Sequence, residues 1–241
     1  MEGFVLVSFL QSFLNSPTSI IALLSATVAF FAYIYQKSEK RKDKAYQIAN
    51  LYAKELIPRL RFISYVLHIV GAAPYSEKFA DKMIKFDNSE LSALVSISEY
   101  EKTFLNINTE MLETAGIKSG FDINACPCYN LLATQPGDSR NELLAFAFQK
   151  IVISFLNELE SISMLLRYNI CDEKIIYQSL QQTFLGNMKF WYYHISLDNY
   201  LNEDRYYDNL IWLYTKWRNR KIRQAVKASK NSASFLGKKL F

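Results

Sequence analysis

Cys126-Pro127-Cys128 sets two thiols one residue apart, the beginning of a zinc site in this chain of 241 residues. A tetrahedral site needs four nitrogen or sulfur ligands, and the remaining donors are Cys171, His68 and His194, spread over three helical stretches and a loop. No metal and no cofactor is therefore expected. Asn157, Glu158 and Glu160 fall within a largely apolar helical stretch. A polar core pair such as Asn157 and Glu160 can receive a ligand, or it can tie Arg167 or a tyrosine into the core, and the structural role is the expected one. The aromatic run Lys189-Phe190-Trp191-Tyr192-Tyr193-His194-Ile195 could stack bases only if its rings were exposed beside positive charge. The run is nearly neutral, and Phe190, Tyr193 and Leu197 fit a core stripe at helical spacing, so nucleic acid is not an expected partner.

Charge shows where such residues would work. The net charge of +5 is the sum of unlike parts: residues 1–35 carry −1, 36–44 carry +3, 45–215 carry −6 and 216–241 carry +9. Short basic blocks on an acidic body usually meet phosphate, of nucleic acid or of lipid headgroups. The apolar run Thr18 to Tyr35, which has no charged residue, favours lipid. Its length as a helix, about 27 Å at ~1.5 Å per residue, matches the hydrocarbon thickness of a bilayer. A secretory signal is the competing reading, but residues 1–16 hold no basic residue, and no clear small-x-small cleavage site precedes the lysines. The run reads as a retained span over 17–36. Lys37, Lys40, Arg41, Lys42 and Lys44 follow as a positive-inside stop, which places the bulk of the chain in the cytoplasm. The odd number of cysteines, three, fits a reducing compartment.

The elements that must position these groups are helices. Gly (7) and Pro (5) are scarce, half of the chain is hydrophobic, and no strand pattern is visible. The fold class expected is all-α, a transmembrane helix followed by a cytosolic bundle of four to five long helices over 37–217. Residues 1–16 divide into a polar and an apolar face and read as an interfacial helix. Ala45, Ile48, Ala49, Tyr52, Leu56, Leu60, Ile63, Leu67 and Val70 carry a helical period from the span to Gly71, so span and first bundle helix form one rod, kinked at Pro58. A helix from Phe86 to Glu113, capped by Asp87 or Ser89, comes next, followed by a long loop from Thr114 to Ser139. Three more helices are expected: one from Arg140, apolar nearly all round and central; one beginning at an Asp172 cap; and one that opens aromatic near Glu203 and ends basic. Within the span, Ala22, Ser25, Ala29 and Ala32 form a small-residue stripe that lets helix backbones approach closely, which implies a homo-oligomer. Residues 218–241 form a basic tail, in which Arg218, Arg220, Lys221, Arg223, Lys238 and Lys239 are expected to meet an anionic bilayer surface.

The single N-terminal span, the basic stop, the stretch "LLAFAFQKIVISFLNELESISMLLRYNICDEKIIYQSL" and the closing "RYYDNLIWLYTKW" resemble a broad, largely uncharacterised family of bacterial membrane-anchored helical proteins, often encoded beside prophage or phage-defence genes. The resemblance implies an inner-membrane protein that works by association with itself or a partner, as an effector or sensor in such a setting, with Trp217 closing the bundle. A more distant likeness is to the small membrane proteins that accompany RNA-targeting CRISPR effectors. Through it, Arg61 and His68 in "RFISYVLH" resemble the Arg-to-His spacing of helical HEPN-type nucleases. There the arginine steadies the anionic transition state and the histidine moves a proton, with protomers supplying the pair jointly. The polar residue that follows the arginine in such motifs is Phe62 here, so a membrane-tethered ribonuclease is the second reading and an interaction role the first.

Overall fold

The computed structural model describes residues 17–72, 85–86, 90, 102–126, 129, 140–201 and 205–238. The interfacial helix expected over 1–16 and the helix cap expected at Asp87 or Ser89 lie outside them. Among the described residues the chain is all helical, with no strand.

Helix α1, Pro17–Leu51, runs through a π-helical turn, Tyr52–Leu56, into α2, Ile57–Ile69. The three segments make one rod of 53 residues, about 80 Å at 1.5 Å per residue. The irregularity expected from Pro58 takes the form of the π turn. Pro58 has no N–H to donate one turn back, and its ring crowds the carbonyl there. Widening the preceding turn, with the Ile57 N–H bonded to the Tyr52 carbonyl, absorbs both defects without ending the helix. The two halves of the rod differ completely in their surroundings. From Ala45 onward the expected stripe is buried at Ala45, Ile48, Tyr52, Leu56, Leu60, Ile63, Leu67 and Val70. Before Glu39 nothing in the rod is buried, and Ile21, Leu24, Val28 and Phe31 are each at least 60 % exposed.

The region after the rod departs from expectation. The helix anticipated through to Glu113 is interrupted after Phe104, and a new helix, α3, spans Thr109–Ser119. Asn108 starts it, its side chain accepting the Met111 N–H at 2.9 Å, and Gly120 ends it at φ 71° in the left-handed region that favours glycine. Residues 114–119, expected as loop, are thus helical, because this short helix buries Leu112 and Ala115 against the rod.

Three long helices complete the described body: α4 (Arg140–Arg167), α5 (Glu173–Leu201) and α6 (Asp208–Lys238). Helix α2 packs on α3 and α4, α5 packs on α1 and α6, and α4 packs on α6. The Asp172 cap forms as expected, its carboxylate accepting the Lys174 N–H at 2.9 Å. α4 is not apolar all round: Phe146, Ile153 and Met164 are exposed, and Gln149, Lys150, Ser154 and Asn157 share its open side. Its other side is core, with Leu144, Phe148 and Leu156 fully buried, and it faces α5, where Trp191, Tyr192 and Tyr193 are consecutive in the core and Trp191 is in ring contact with Phe155 at 5.0 Å. The aromatic run is therefore core, and its rings are not presented to solvent for stacking on bases.

The start of α6 lacks a cap of its own. Tyr207, whose carbonyl accepts the first helical bond from Ile211, stands at φ 59° and has no short polar side chain to turn back on the helix. Glu160 on α4 supplies the cap: its carboxylate accepts the backbone N–H of Asn209 at 3.0 Å, that of Leu210 at 2.7 Å and the Asn209 amide at 2.6 Å. These are amides that the helix leaves unpaired, and the negative charge faces the positive end of the helix dipole.

Replacing Glu160 with Ala is expected to cost about 1–3 kcal/mol, as charge-assisted bonds to otherwise unpaired amides do, and Gln to recover part of it. Thermal unfolding of the full chain in neutral detergent measures both. His194 provides a pH-dependent check of the core. It faces Phe104 at 5.7 Å, and burial lowers its pKa from 6.5 to about 4. As pH falls through 6.5 the unfolded chain binds a proton that the folded site refuses until about pH 4, so stability drops across that window. Asp198, one turn along and pushed up by burial, acts in the opposite sense. Wild type should therefore lose more unfolding temperature between pH 7 and pH 5 than His194→Gln, which retains Asp198.

Candidate functional site

The exposed apolar half of α1 meets the body at one corner. The chain between α4 and α5 is closed by a helix-ending turn in which the Ile170 N–H reaches the Leu165 carbonyl at 2.9 Å and Asn169 takes the left-handed conformation at φ 59°. Asparagine tolerates that conformation, and its side chain then faces the rod. The Arg41 guanidinium donates to Asn169 Oδ1 and, at 3.5 Å, to the Cys171 carbonyl. In return the Arg41 carbonyl accepts the Asp172 N–H at 3.1 Å. Arg41 thus clasps the corner with both side chain and main chain, a role that counting it among the stop cations did not reveal. Burial pushes the neighbouring Cys171 thiol up to about 11, which keeps it protonated and unreactive at neutral pH.

The first turns of α5, at this corner, also hold the basic half of α6. Glu173 forks between Lys216 Nζ at 2.5 Å and the Trp217 indole N–H at 3.1 Å. Trp217 is 1 % exposed and meets Tyr177 and Phe184 edge to face. One turn on, the Arg220 guanidinium lies 3.7 Å from the Tyr177 ring centroid and the Tyr177 hydroxyl donates to Gln224 at 3.0 Å. Among the described residues Trp217 is the last buried side chain of α6. Beyond it the tail continues as helix to Lys238: Arg218 and Arg220 are half-buried, and Lys221 and Arg223 are exposed. Lys239 lies outside the described residues.

The other residues singled out by type and spacing are not brought together. Arg61 and His68 are both exposed, two turns apart on one face of α2. Asn157 is not in the core: it is exposed on α4 and is separated in role from Glu160, which caps α6. Glu158 instead pairs with Arg59 of α2 at 2.7 Å, and Arg167 bonds Asp208 and Asn209. Ala22, Ser25, Ala29 and Ala32 are exposed along the apolar half of α1, where the nearby Thr27 hydroxyl satisfies itself on the Leu23 carbonyl at 2.8 Å. Cys171 is a buried free thiol, Cys126 is half-buried after α3, and Cys128 lies outside the described residues.

No curated protein and no solved structure matches this chain. One family model does, a domain of unknown function designated DUF4760, over residues 76–217. The matched stretch starts behind the rod and stops at Trp217, leaving the apolar half of α1 and the basic half of α6 outside it. It covers more than half of the sequence, and the chain belongs to the DUF4760 family.

Proposed function

We propose that this protein is a single-pass anchor of the bacterial inner membrane whose helical body lies in the cytoplasm and acts by association, as an oligomeric effector or sensor in phage defence or a prophage-linked role. The observation that carries the reading is the divided rod: an apolar stretch long enough to cross a bilayer, bare of any packing partner in the body, is followed at once by Lys37, Lys40, Arg41, Lys42 and Lys44. Lipid is the medium in which bare leucine, isoleucine and phenylalanine side chains cost nothing to expose. The cationic turn fits the cytoplasmic boundary. The tail supports the same arrangement, since Glu173 and Tyr177, at the start of α5 beside the Arg41 corner, hold Trp217, Arg220 and Gln224, and the helix that carries Arg218, Lys221 and Arg223 is thereby brought within reach of an anionic surface. Association follows from the exposed small-residue stripe, and the phage-linked setting from the family resemblance.

A second reading keeps a ribonuclease in view, because Arg61 and His68 stand exposed on one face of α2, where a second copy could meet them.

Two experiments test the order of these readings. In native membranes, Ala22→Leu with Ala29→Leu should reduce chemical crosslinking of the full-length protein severalfold, since the larger side chains hold backbones apart. A monomeric wild type would remove the oligomer. Arg61→Ala with His68→Ala should leave insertion, crosslinking and any dye entry on induction unchanged, and the purified wild type should not cut RNA. Cleavage by wild type that the double variant lacks would put the nuclease first.

A further inference from the structure

At the corner where α1 leaves the body lies a groove of about 500 Å³, bounded by Tyr33, Lys37, Lys40 and Arg41 on the rod and by Tyr168 and Ile170 on the turn after α4. Tyr33, Lys37 and Lys40 follow one another at spacings of four and three, so they share a face of α1. No acidic residue lines the groove. Lys37 and Lys40 are exposed and have no hydrogen-bond or ion-pair partner among the described residues, whereas Lys42, on another face, is already paired with Glu39 at 2.7 Å. The Arg41 guanidinium is held in place by Asn169 and Cys171, and its Nε–H is buried with no acceptor among the described residues. Two unpaired ammonium groups and a guanidinium held in place beside them therefore line one concave site.

The rest of the rim is apolar and aromatic. Tyr168 is 67 % exposed and Ile170 48 %, and neither has a covering element in the body. They sit opposite Tyr33, at the level where the apolar half of α1 gives way to its first cation. Aromatic rings with polar tips settle at the headgroup level of a bilayer, and basic pockets beside spanning helices on its cytoplasmic side bind anionic headgroups.

We propose that this groove is a binding site for one anionic glycerophospholipid, its phosphate taken by Lys37, Lys40 and Arg41 and its acyl chain laid against Tyr33, Tyr168 and Ile170. The site rests on the reading of α1 as a membrane span. The lipid bridges α1 and the α4–α5 turn, which the Arg41 clasp already holds together, and it makes the membrane's charge a determinant of the protein's affinity for its own lipid annulus.

The test uses the full-length protein in neutral detergent, with bound lipid counted by native mass spectrometry during titration with short-chain phosphatidylglycerol, phosphatidylcholine or inorganic phosphate. Wild type should retain one phosphatidylglycerol at least tenfold more tightly than phosphatidylcholine. Lys37→Gln with Lys40→Gln should abolish that preference, and Lys54→Gln with Lys102→Gln, the same loss of charge at exposed positions elsewhere on the body, should preserve it. Equal weakening in both variants would replace the site with diffuse charge attraction. No preference in wild type would also overturn the proposal. Inorganic phosphate competing as well as the lipid would overturn the lipid assignment in favour of a plain phosphate site. Alkaline extraction of membranes carrying wild type separates the two levels: release means that the span itself fails, while retention without lipid preference means that only the groove fails.

Discussion

One helix carries two unlike surfaces. The first half of the 53-residue rod exposes apolar side chains on every side, and the second half buries a single stripe in a protein core. A break between the halves would leave the body free to swivel on a flexible joint. The rod stays continuous because Pro58, which should interrupt it, is absorbed by a π turn whose bond from Ile57 to Tyr52 keeps the backbone paired. A backbone paired within itself is also what an apolar medium demands of any segment that enters it. The clasp at Arg41 then joins the α4–α5 turn to the rod just where the apolar residues end, so that three helices share one fixed corner.

The same corner organises α6. A 31-residue helix whose second half carries cation after cation has little reason to dock on anything by burial alone. It docks because its first half is handled at both ends by carboxylates from other helices: Glu160 satisfies its opening amides, and Glu173 takes Lys216 and the Trp217 indole. Between these points Leu210, Leu213, Tyr214 and Trp217 are buried. Beyond Trp217 apolar burial stops, Ile222 and Val226 being about half exposed, and the helix presents charge instead. The family match stops at that residue too, in agreement with a packed body that ends at Trp217 and a basic extension added to it.

Much of the architecture is legible in local pattern. The period of Ala45, Ile48, Tyr52, Leu56, Leu60, Ile63, Leu67 and Val70 requires a helix with one wet side, and each of these residues is buried. The Asp172 cap is equally plain, because an aspartate ahead of an amphipathic run bonds only to amides two or three residues on. Local pattern misleads where two local signals compete. The start of α3 at Asn108 is hidden inside a longer apolar period, and its continuation to Ser119 is hidden by the glycines at 116 and 120, only the second of which ends a helix. The excess of apolar residues in α4 suggests a helix covered nearly all round, yet Gln149, Lys150, Ser154 and Asn157 leave it one open side, while α5, whose tyrosines look amphipathic on paper, buries Tyr192 and Tyr193.

Quantities that depend on neighbours in the chain were legible before any packing was known: the all-helical class, the apolar length that matches a bilayer, the buried stripe of the rod, the cap at Asp172 and the two blocks of positive charge. The packing of distant segments sets which glutamate caps α6 from 49 residues away, that Arg41 clasps Asn169 from 128 residues away, that Asn157 faces outward while Glu160 turns in, and that Lys37 and Lys40 share a groove with Tyr168 and Ile170. Periodicity fixes which side of a helix is apolar but not which other helix covers it. A charged side chain reads the same in sequence whether water or a distant helix end solvates it, so its partner is set by the packing of the whole body.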